Sequence, residues 1–380
     1  SEAERLFQRV RKGDCSAAEA EEFRGQMLTE MARMSLEDGL VMQIHPGSFR
    51  NHNAFVFKRF GRDKGADIPM RTGYVDELKP LLDRYTAESG VKVNLVTAKG
   101  DALLTRLQSE GRNSPADVLI TTDAGRLYRA QEAGVLQPVN SEYLQDHIPA
   151  HLRSAEGYWY GLSVRARAIV YATDRVKPEQ LGSYEDLATP GWKGRICIRS
   201  SSNIYNQSMV AGMLASQGAD KTGAWLERFV ANFARPPQGG DRDQIKAVAA
   251  GQCDVAVVNS YYLGAMVNSS EEAERQAAAK VGIFWPNQAD RGTHINISGA
   301  GVTAATGQPE QAIALIEFLA RDKAQRWYAE TNNEYPVRDD IAPSELLASW
   351  GKFKADQVPM TELGRLNAEA VMAMDRARWK

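Results

Sequence analysis

Two adjacent tyrosines, Tyr261 and Tyr262, are the residues in this sequence best suited to bind a metal ion. They follow a mostly apolar run, 253–258, that has the length of a buried strand, and they precede a short helical stretch. Ligands of open α/β sheets bind beyond the carboxyl ends of the strands. A phenolate is a hard oxygen donor of the kind that ferric iron prefers, and a trivalent ion displaces the phenol proton. Aromatic pairs also occur in cores and on surfaces, so this pair indicates a metal site only together with its neighbours.

Two further segments supply groups that bind an anion or a metal. Arg165 and Arg167 lie two residues apart, on one face of a predicted strand. An arginine near a cation site can hold the anion that completes the coordination shell, and a surface salt bridge is the alternative. The segment 200–207 follows another predicted strand and offers the hydroxyl of Ser202, helix-start amides suited to an anion, and a third tyrosine, Tyr205.

The elements that must position these residues alternate along the chain from Tyr74. Apolar residues at helical spacing predict helices over 75–85, 101–110, 124–133, 206–215, 221–232, 242–250, 308–328 and 361–378. Short apolar runs predict strands over 91–96, 118–121, 168–171, 196–198 and 253–258. This alternation is typical of an α/β fold with a mainly parallel sheet covered by helices. The loop 236–241 is either a hinge at the edge of the site or an ordinary connection with a helix cap at Asp241.

Length and composition limit the class of protein. A chain of 380 residues is too long for one core, so two or more lobes are expected. A net charge of −2 provides no basic face for nucleic acid and no polybasic patch for a membrane. Three distant cysteines and only five histidines predict neither a disulfide framework nor a zinc site. The sequence shows no apolar run long enough for a transmembrane helix and no signal peptide.

Six segments together carry a resemblance to a known family. They are WYGLSVRAR (159–167), TPGWKGR (189–195), SSNIYNQS (201–208), PQGGDRDQ (237–244), NSYYLG (259–264) and NNEYPV (332–337). From about Leu78 to the C-terminus, the chain resembles the periplasmic ferric-ion-binding proteins of ABC iron importers. The resemblance implies a two-lobed periplasmic-binding-protein fold of type II. Its predicted lobe 1 comprises 73–165 and 292–340, and its predicted lobe 2 comprises 166–291 and 341–380.

The resemblance also implies a site and a role. The paired iron-ligand tyrosines of the family correspond to Tyr261 and Tyr262, and the third tyrosine ligand of one subgroup corresponds to Tyr205. The anion-binding arginine corresponds to Arg165. The glutamate ligand of another subgroup has no counterpart, because Asp123 stands in that stretch. The implied cargo is ferric iron (Fe3+) with a synergistic anion such as carbonate or phosphate. The implied partner is the inner-membrane permease of an ABC importer, served by a periplasmic monomer that binds no nucleic acid and is not an enzyme.

The beginning of the chain departs from this family. The family's opening strand and loop, which often carry a histidine or tyrosine ligand, are missing, and residues of about 38–82 resemble a uronate isomerase instead. We therefore predict a fusion-like appendage over 1–72. His45 and Arg50 match residues of the isomerase active site. The fragment of about 70 residues is far shorter than a barrel of roughly 250, so isomerase activity is not expected.

Two alternatives to iron binding remain open on the sequence. A protein of the same fold could bind an organic or phosphate-like anion with Arg165 as its main anchor, and the remote alternative is a uronate isomerase.

A separate hypothesis concerns the missing first strand. Residues 67–71 could fill its position in lobe 1, although Pro69 suits the edge of a sheet better. If nothing fills that position, lobe 1 is expected to be less stable than lobe 2.

Overall fold

The computed structural model describes residues 48–49, 68–69 and 73–380, with side chains from Leu78 onward. The chain divides into two units, Ser1–Lys99 and Gly100–Lys380. In the first unit, strand β1 (Ser48–Phe49) pairs antiparallel with strand β2 (Ile68–Pro69). Helix α1 (Gly73–Ser89) follows. The predictions for His45 and Arg50 lie outside the described residues.

The hypothesis that residues 67–71 replace a missing strand is wrong for its two described residues. Ile68 pairs with Phe49, and Pro69 pairs with Ser48, in a separate two-stranded sheet. The predicted strand 91–96 is also wrong, because residues 91–99 form neither helix nor strand. A strand needs a neighbour that accepts and donates its backbone hydrogen bonds. The described residues supply none for 91–96.

The second unit is built on a seven-stranded sheet with helices packed around it. Its strands are β3 (Val118–Thr122), β4 (Tyr160–Ala172), β5 (Ile196–Cys197), β6 (Val255–Asn259), β7 (Val281–Phe284), β8 (Ile295–Val302) and β9 (Tyr335–Pro336). Its α-helices are α2 (Gly100–Glu110), α3 (Ala124–Glu132), α4 (Glu142–His147), α5 (Ile204–Gln217), α6 (Ala219–Ala231), α7 (Asp241–Ala249), α8 (Ser260–Val267), α9 (Glu272–Ala278), α10 (Pro309–Leu319), α11 (Asp322–Thr331), α12 (Glu345–Ser349), α13 (Met360–Arg365) and α14 (Asn367–Arg376). The two long helices predicted near the C-terminus are therefore each divided in two.

The sheet is mainly antiparallel, which corrects the predicted parallel arrangement. Its strand order is β3-β8-β4-β6-β5, and β7 and β9 also pair with β4. Among these pairs only β5 and β6 run parallel. The alternation of helices and strands predicts a parallel sheet only when successive strands are neighbours. Here β8, which comes late in the chain, lies between β3 and β4, so the order of elements did not reveal the direction of pairing.

The three cysteines predicted no disulfide framework, but two of them do form a single disulfide. Cys197 and Cys253 form one, with Cα atoms 5.8 Å apart and a separation of 56 residues along the chain. Both are buried. Cys197 ends β5, and Cys253 lies two residues before β6, the strand that pairs with β5. Strand pairing, rather than sequence spacing, brings the two cysteines together.

Strand β6 is buried on both faces, and this fixes the place where the chain leaves the sheet. Val255 and Val257 pack into one hydrophobic cluster with Trp225 and Phe229. Ala256 and Val258 pack into a second cluster on the other face, which includes Ile245 and Val248. A strand that is buried on both faces appears in the sequence as a continuous run of apolar residues. In the described part of the chain, no helix combines the length and the apolar character needed to cross a bilayer.

Candidate metal centre

The first turns of two helices carry the three predicted ligand tyrosines. Tyr205 is the second residue of α5, and its backbone amide donates a hydrogen bond of 3.1 Å to the side chain of the N-cap residue, Asn203. Tyr261 and Tyr262 are the second and third residues of α8, which begins directly after β6. The sequence predicted that helix to start after the pair, whereas the structure places both tyrosines within its first turn.

The structure brings the three phenols together. The hydroxyl oxygens of Tyr205 and Tyr261 lie 3.5 Å apart. The rings of Tyr261 and Tyr262 are 4.2 Å apart between centres, with planes inclined by 32°. Two segments that are distant in the sequence therefore place three oxygen donors in one small region. Their role as metal ligands stays a prediction.

The three phenols differ in acidity. Burial alone would raise the pKa of Tyr205. The positive charge of Arg165 and hydrogen bonds with Tyr261 and Thr122 outweigh the effect of burial, so the pKa lies below its usual value. Burial, reinforced by the neighbouring Tyr205, raises the pKa of Tyr261 well above its usual value. Burial is also the main reason that the pKa of Tyr262 rises to about 12. Tyr205 is thus the most acidic of the three phenols, and Tyr261 and Tyr262 are harder to ionise than a free tyrosine.

Arg165 lies beside the tyrosines and already has a partner. Its guanidinium carbon is 5.2 Å from the ring centre of Tyr261 and 5.9 Å from that of Tyr205. Its Nη2 forms a buried ion pair with Glu334 at 3.0 Å and donates a hydrogen bond to the hydroxyl of Ser298. Its Nε has no hydrogen-bond partner among the described residues. Arg165 therefore combines a fixed orientation with one donor that remains unused.

The other predicted anion-binding groups are placed differently. Arg167 is buried and pairs with Asp241 at 2.7 Å, so its partner differs from that of its neighbour Arg165. Ser202 is exposed, and its amide donates to the hydroxyl of Ser200 at 3.2 Å. Asp241 is the first residue of α7 rather than its cap, a position that Gly240 occupies.

Sequence reasoning missed two residues that contact the tyrosines. Arg199 has its guanidinium carbon 5.5 Å from the ring centre of Tyr205 and forms a hydrogen bond with the phenol of Tyr262. Thr122, the last residue of β3, forms a hydrogen bond with Tyr205. Arg199 follows strand β5, and Thr122 ends strand β3. The rule that ligands gather at strand ends could therefore have found both residues.

Sequence reasoning also missed Glu334, the partner of Arg165. No local signal marks it, because the two residues meet only through the pairing of β4 with β8 and β9.

Carboxylates and imidazoles offer no competing metal site in the described residues. No group of three or more histidine, cysteine, aspartate or glutamate side chains is arranged there to hold an ion. Asp123 is fully buried, and its carboxylate accepts hydrogen bonds from the Gly125 amide at 2.9 Å, the Ser208 hydroxyl at 2.7 Å and the Asn296 amide group at 2.9 Å. These bonds commit Asp123 to holding the fold together rather than to a ligand.

A sheet covered by helices, with oxygen donors gathered at the ends of its strands, is typical of one class of protein, the two-lobed solute-binding proteins. Residues 81–355 match the bacterial extracellular solute-binding protein family, and the chain belongs to that family. Over 300 residues it is 49% identical to iron uptake protein A1 of Synechocystis sp., an alignment that covers 79% of this chain and 83% of the relative. The solved structure of Trichodesmium FutA (IdiA), in complex with iron and citrate, matches with a TM-score of 0.79 and 50% identity. That match covers 80% of this chain and 96% of the other. The predicted two-lobed fold is confirmed, while the predicted lobe bounds stay a prediction.

The beginning of the chain resembles a different family, as predicted. Residues 1–97 match the glucuronate isomerase family. A uronate isomerase of Brucella melitensis is 60% identical over 115 residues, which make up 30% of this chain but only 25% of that enzyme. The isomerase match ends at residue 97 and the solute-binding match begins at residue 81, so the two matches overlap over residues 81–97, and the predicted appendage bound at residue 72 stays a prediction.

Proposed function

We propose that this protein captures ferric iron with the phenolates of Tyr205, Tyr261 and Tyr262 and delivers it to an ABC importer. The observation that carries this proposal is the gathering of three half-buried tyrosines, two of them with hydroxyl oxygens 3.5 Å apart. Hard anionic oxygens suit a hard trivalent cation. Two relatives support the choice of metal, since one is an iron uptake protein and the other was solved with iron and citrate.

A synergistic anion completes the proposed site. Three phenolates balance the charge of one ferric ion, and Arg199, with a side chain only 18% exposed, adds positive charge next to them. Arg165 keeps its Nε donor for such an anion, and the exposed hydroxyl of Ser202, before the first turn of α5, is the proposed second contact. The anion is carbonate, phosphate or a carboxylate, each of which presents planar or tetrahedral oxygens to a guanidinium.

Binding and closure, without catalysis, account for the proposed role in the periplasm. The buried Cys197–Cys253 disulfide suits an oxidising compartment. Lobe closure around the ion would exclude water and present one shape to an inner-membrane permease. We propose that the protein acts as a monomer, since one chain supplies all three phenols.

Titration with a ferric chelate, followed by visible absorbance, tests this proposal. Phenolate bound to ferric iron absorbs visible light, so a coloured complex is expected for the wild type. Tyr261→Phe should weaken iron binding by about tenfold or more, because it removes a donor. The control is Tyr171→Phe, since Tyr171 lies in β4 opposite Val255, at the far end of β6 from the site.

Two results would contradict the proposal. One is a wild-type protein that develops no colour with iron. The other is a protein that binds phosphate without iron and keeps that affinity in Tyr262→Phe, since this would identify an anion-binding protein instead.

A further inference from the structure

A buried polar cluster centred on the carboxylate of Asp241 connects to the tyrosines. Asp241 is completely buried. Its Oδ2 accepts hydrogen bonds from Nη1 of Arg167 at 2.7 Å and from the backbone amide of Asn259 at 2.8 Å. Its Oδ1 accepts from Nη1 of Arg199 at 3.2 Å. One side chain therefore holds groups from three other segments of the chain.

The first connection leads to Tyr261 and Tyr262. Asn259 is the last residue of β6 and the residue before α8. The hydrogen bond from its amide to Asp241 fixes the backbone at the point where strand changes to helix. The two tyrosines follow within three residues, so a shift of this backbone moves both phenols.

The second connection leads to Tyr205. Arg199, held by Asp241, lies over the Tyr205 ring and forms a hydrogen bond with the Tyr262 phenol. Asn206, the residue after Tyr205, accepts a hydrogen bond from Arg167 and donates one of 3.0 Å to the carbonyl of Arg199. The cluster therefore joins the start of α5 to the start of α8.

We propose that Asp241 is the positioning residue of the tyrosine site, and that its carboxylate sets the placement of Tyr205 relative to Tyr261 and Tyr262. The effect of this positioning on iron affinity rests on the function proposed above. An asparagine at this position would have one acceptor oxygen, and its two N–H donors would face guanidinium donors, so it could not hold all three groups. Residues that orient metal ligands typically change metal affinity by about 10–100-fold when they are mutated.

The experiment compares Asp241→Asn with a matched control, Asp254→Asn. Asp254 also joins two arginines, Arg175 at 2.8 Å and Arg195 at 2.7 Å, but it lies just before β6, at the opposite end from Asn259. We measure ferric affinity and the wavelength of the iron–phenolate band. Asp241→Asn should bind iron about tenfold more weakly or worse and should move the band, whereas Asp254→Asn should leave both unchanged. A variant that merely unfolds more easily would hold less iron without moving the band.

A second measurement needs no iron. Amide hydrogen exchange over 259–263 in the metal-free protein should be faster in Asp241→Asn and unchanged in Asp254→Asn, because only the former loses the acceptor of the Asn259 amide. A wild type without the coloured band would refute the proposed function, and this exchange result would still decide the role of Asp241. If Asp241→Asn does not fold, Arg199→Gln replaces it and should weaken affinity and move the band. Wild-type affinity, band and exchange in the tested variant would overturn the proposal.

Discussion

Gly264 lies so close to Asn333 that a Cβ atom added to Gly264 would be 2.6 Å from the Cβ of Asn333. Asn333 has a positive φ of 55° and accepts a hydrogen bond of 3.1 Å from the side-chain amide of Asn268. Gly264 belongs to α8, the helix of Tyr261 and Tyr262, whereas Asn333 precedes Glu334, the partner of Arg165. Under the predicted bounds these two segments belong to different lobes, so the contact joins the helix of the tyrosines to the segment of Glu334.

Gly264→Ala should therefore weaken iron binding without touching a ligand. The added methyl group has no room beside Asn333, so the two segments must move apart, and this displaces the helix that carries Tyr261 and Tyr262. We expect a loss of affinity of about tenfold, which corresponds to about 1.4 kcal/mol, measured by competition with a ferric chelator.

The control for this prediction is Gly223→Ala. Gly223 also lies within a helix, α6, but a Cβ there meets nothing within 4 Å. This control should keep its iron affinity and gain up to about 1 kcal/mol from helix propensity. Equal affinities for the two alanine variants and the wild type would show that the close contact does not contribute to binding.

Iron binding should release protons and strengthen as pH rises. Tyr261 has a pKa well above its usual value, and that of Tyr262 is about 12, so both phenols carry protons at neutral pH. A bound phenolate must lose its proton, so each of these two contributes about a tenfold gain in affinity per pH unit. The lowered pKa of Tyr205 makes its proton the first to leave.

Proton release on addition of a ferric chelate measures this effect directly, after correction for the chelator. We expect about two to three protons per iron for the wild type and one fewer for Tyr262→Phe. Fewer than one proton per iron for the wild type would exclude phenolate as the main ligand. Tyr171→Phe serves as the control because it leaves all three phenols in place.

The sequence revealed the tyrosine pair because of how β6 is buried. A strand with apolar contacts on both faces appears as an unbroken apolar run, and the first polar residues after it mark the strand end. Tyr261 and Tyr262 stand at that end, where ligands of such sheets bind. Tyr205 was found in the same way, because the segment 200–207 follows the predicted strand 196–198, but the predicted helix over 206–215 in fact begins at Ile204.

What the sequence could not reveal depends on strand pairing across long separations. The ion pair of Arg165 with Glu334 and the Cys197–Cys253 disulfide both join residues far apart in the chain. Residue types and spacing carry no information on which strand lies beside which. For the same reason, the insertion of β8 between β3 and β4, and with it the antiparallel sheet, was not predicted.

Protonation of His294 should destabilise the protein in mild acid. Burial, together with the charges of Arg167 and Arg291, lowers the pKa of His294 to about 3. This value lies below the unfolded value of about 6.5, so the stabilising contribution is present above pH 6.5 and is lost as pH falls toward 3. Between pH 7 and pH 5, this group should reduce the free energy of unfolding by about 2 kcal/mol.

Urea unfolding followed by tryptophan fluorescence measures this loss, since all seven tryptophans lie in the second unit. His294→Gln should lose less stability than the wild type over this pH range. The control, His147→Gln, alters a half-buried residue of α4 and should follow the wild type. If the free energy of unfolding depends on pH equally in His294→Gln and the wild type, then His294 is not the source of the loss in acid.

Removal of the Cys197–Cys253 disulfide should lower stability but leave the site largely intact. The disulfide joins residues that are 56 positions apart in the chain, so it restricts the unfolded state. In the chain-entropy model, this restriction adds about 4 kcal/mol to the free energy of unfolding. Strand β5 still pairs with β6 through backbone hydrogen bonds, so Tyr205 and Tyr261 should keep their relative positions. The double Cys→Ser variant should therefore unfold at lower urea concentration, with an unmoved iron–phenolate band. Cys15→Ser serves as the control for a cysteine-to-serine change elsewhere in the chain, and a band shift in the double variant alone would show that the disulfide itself positions the tyrosines.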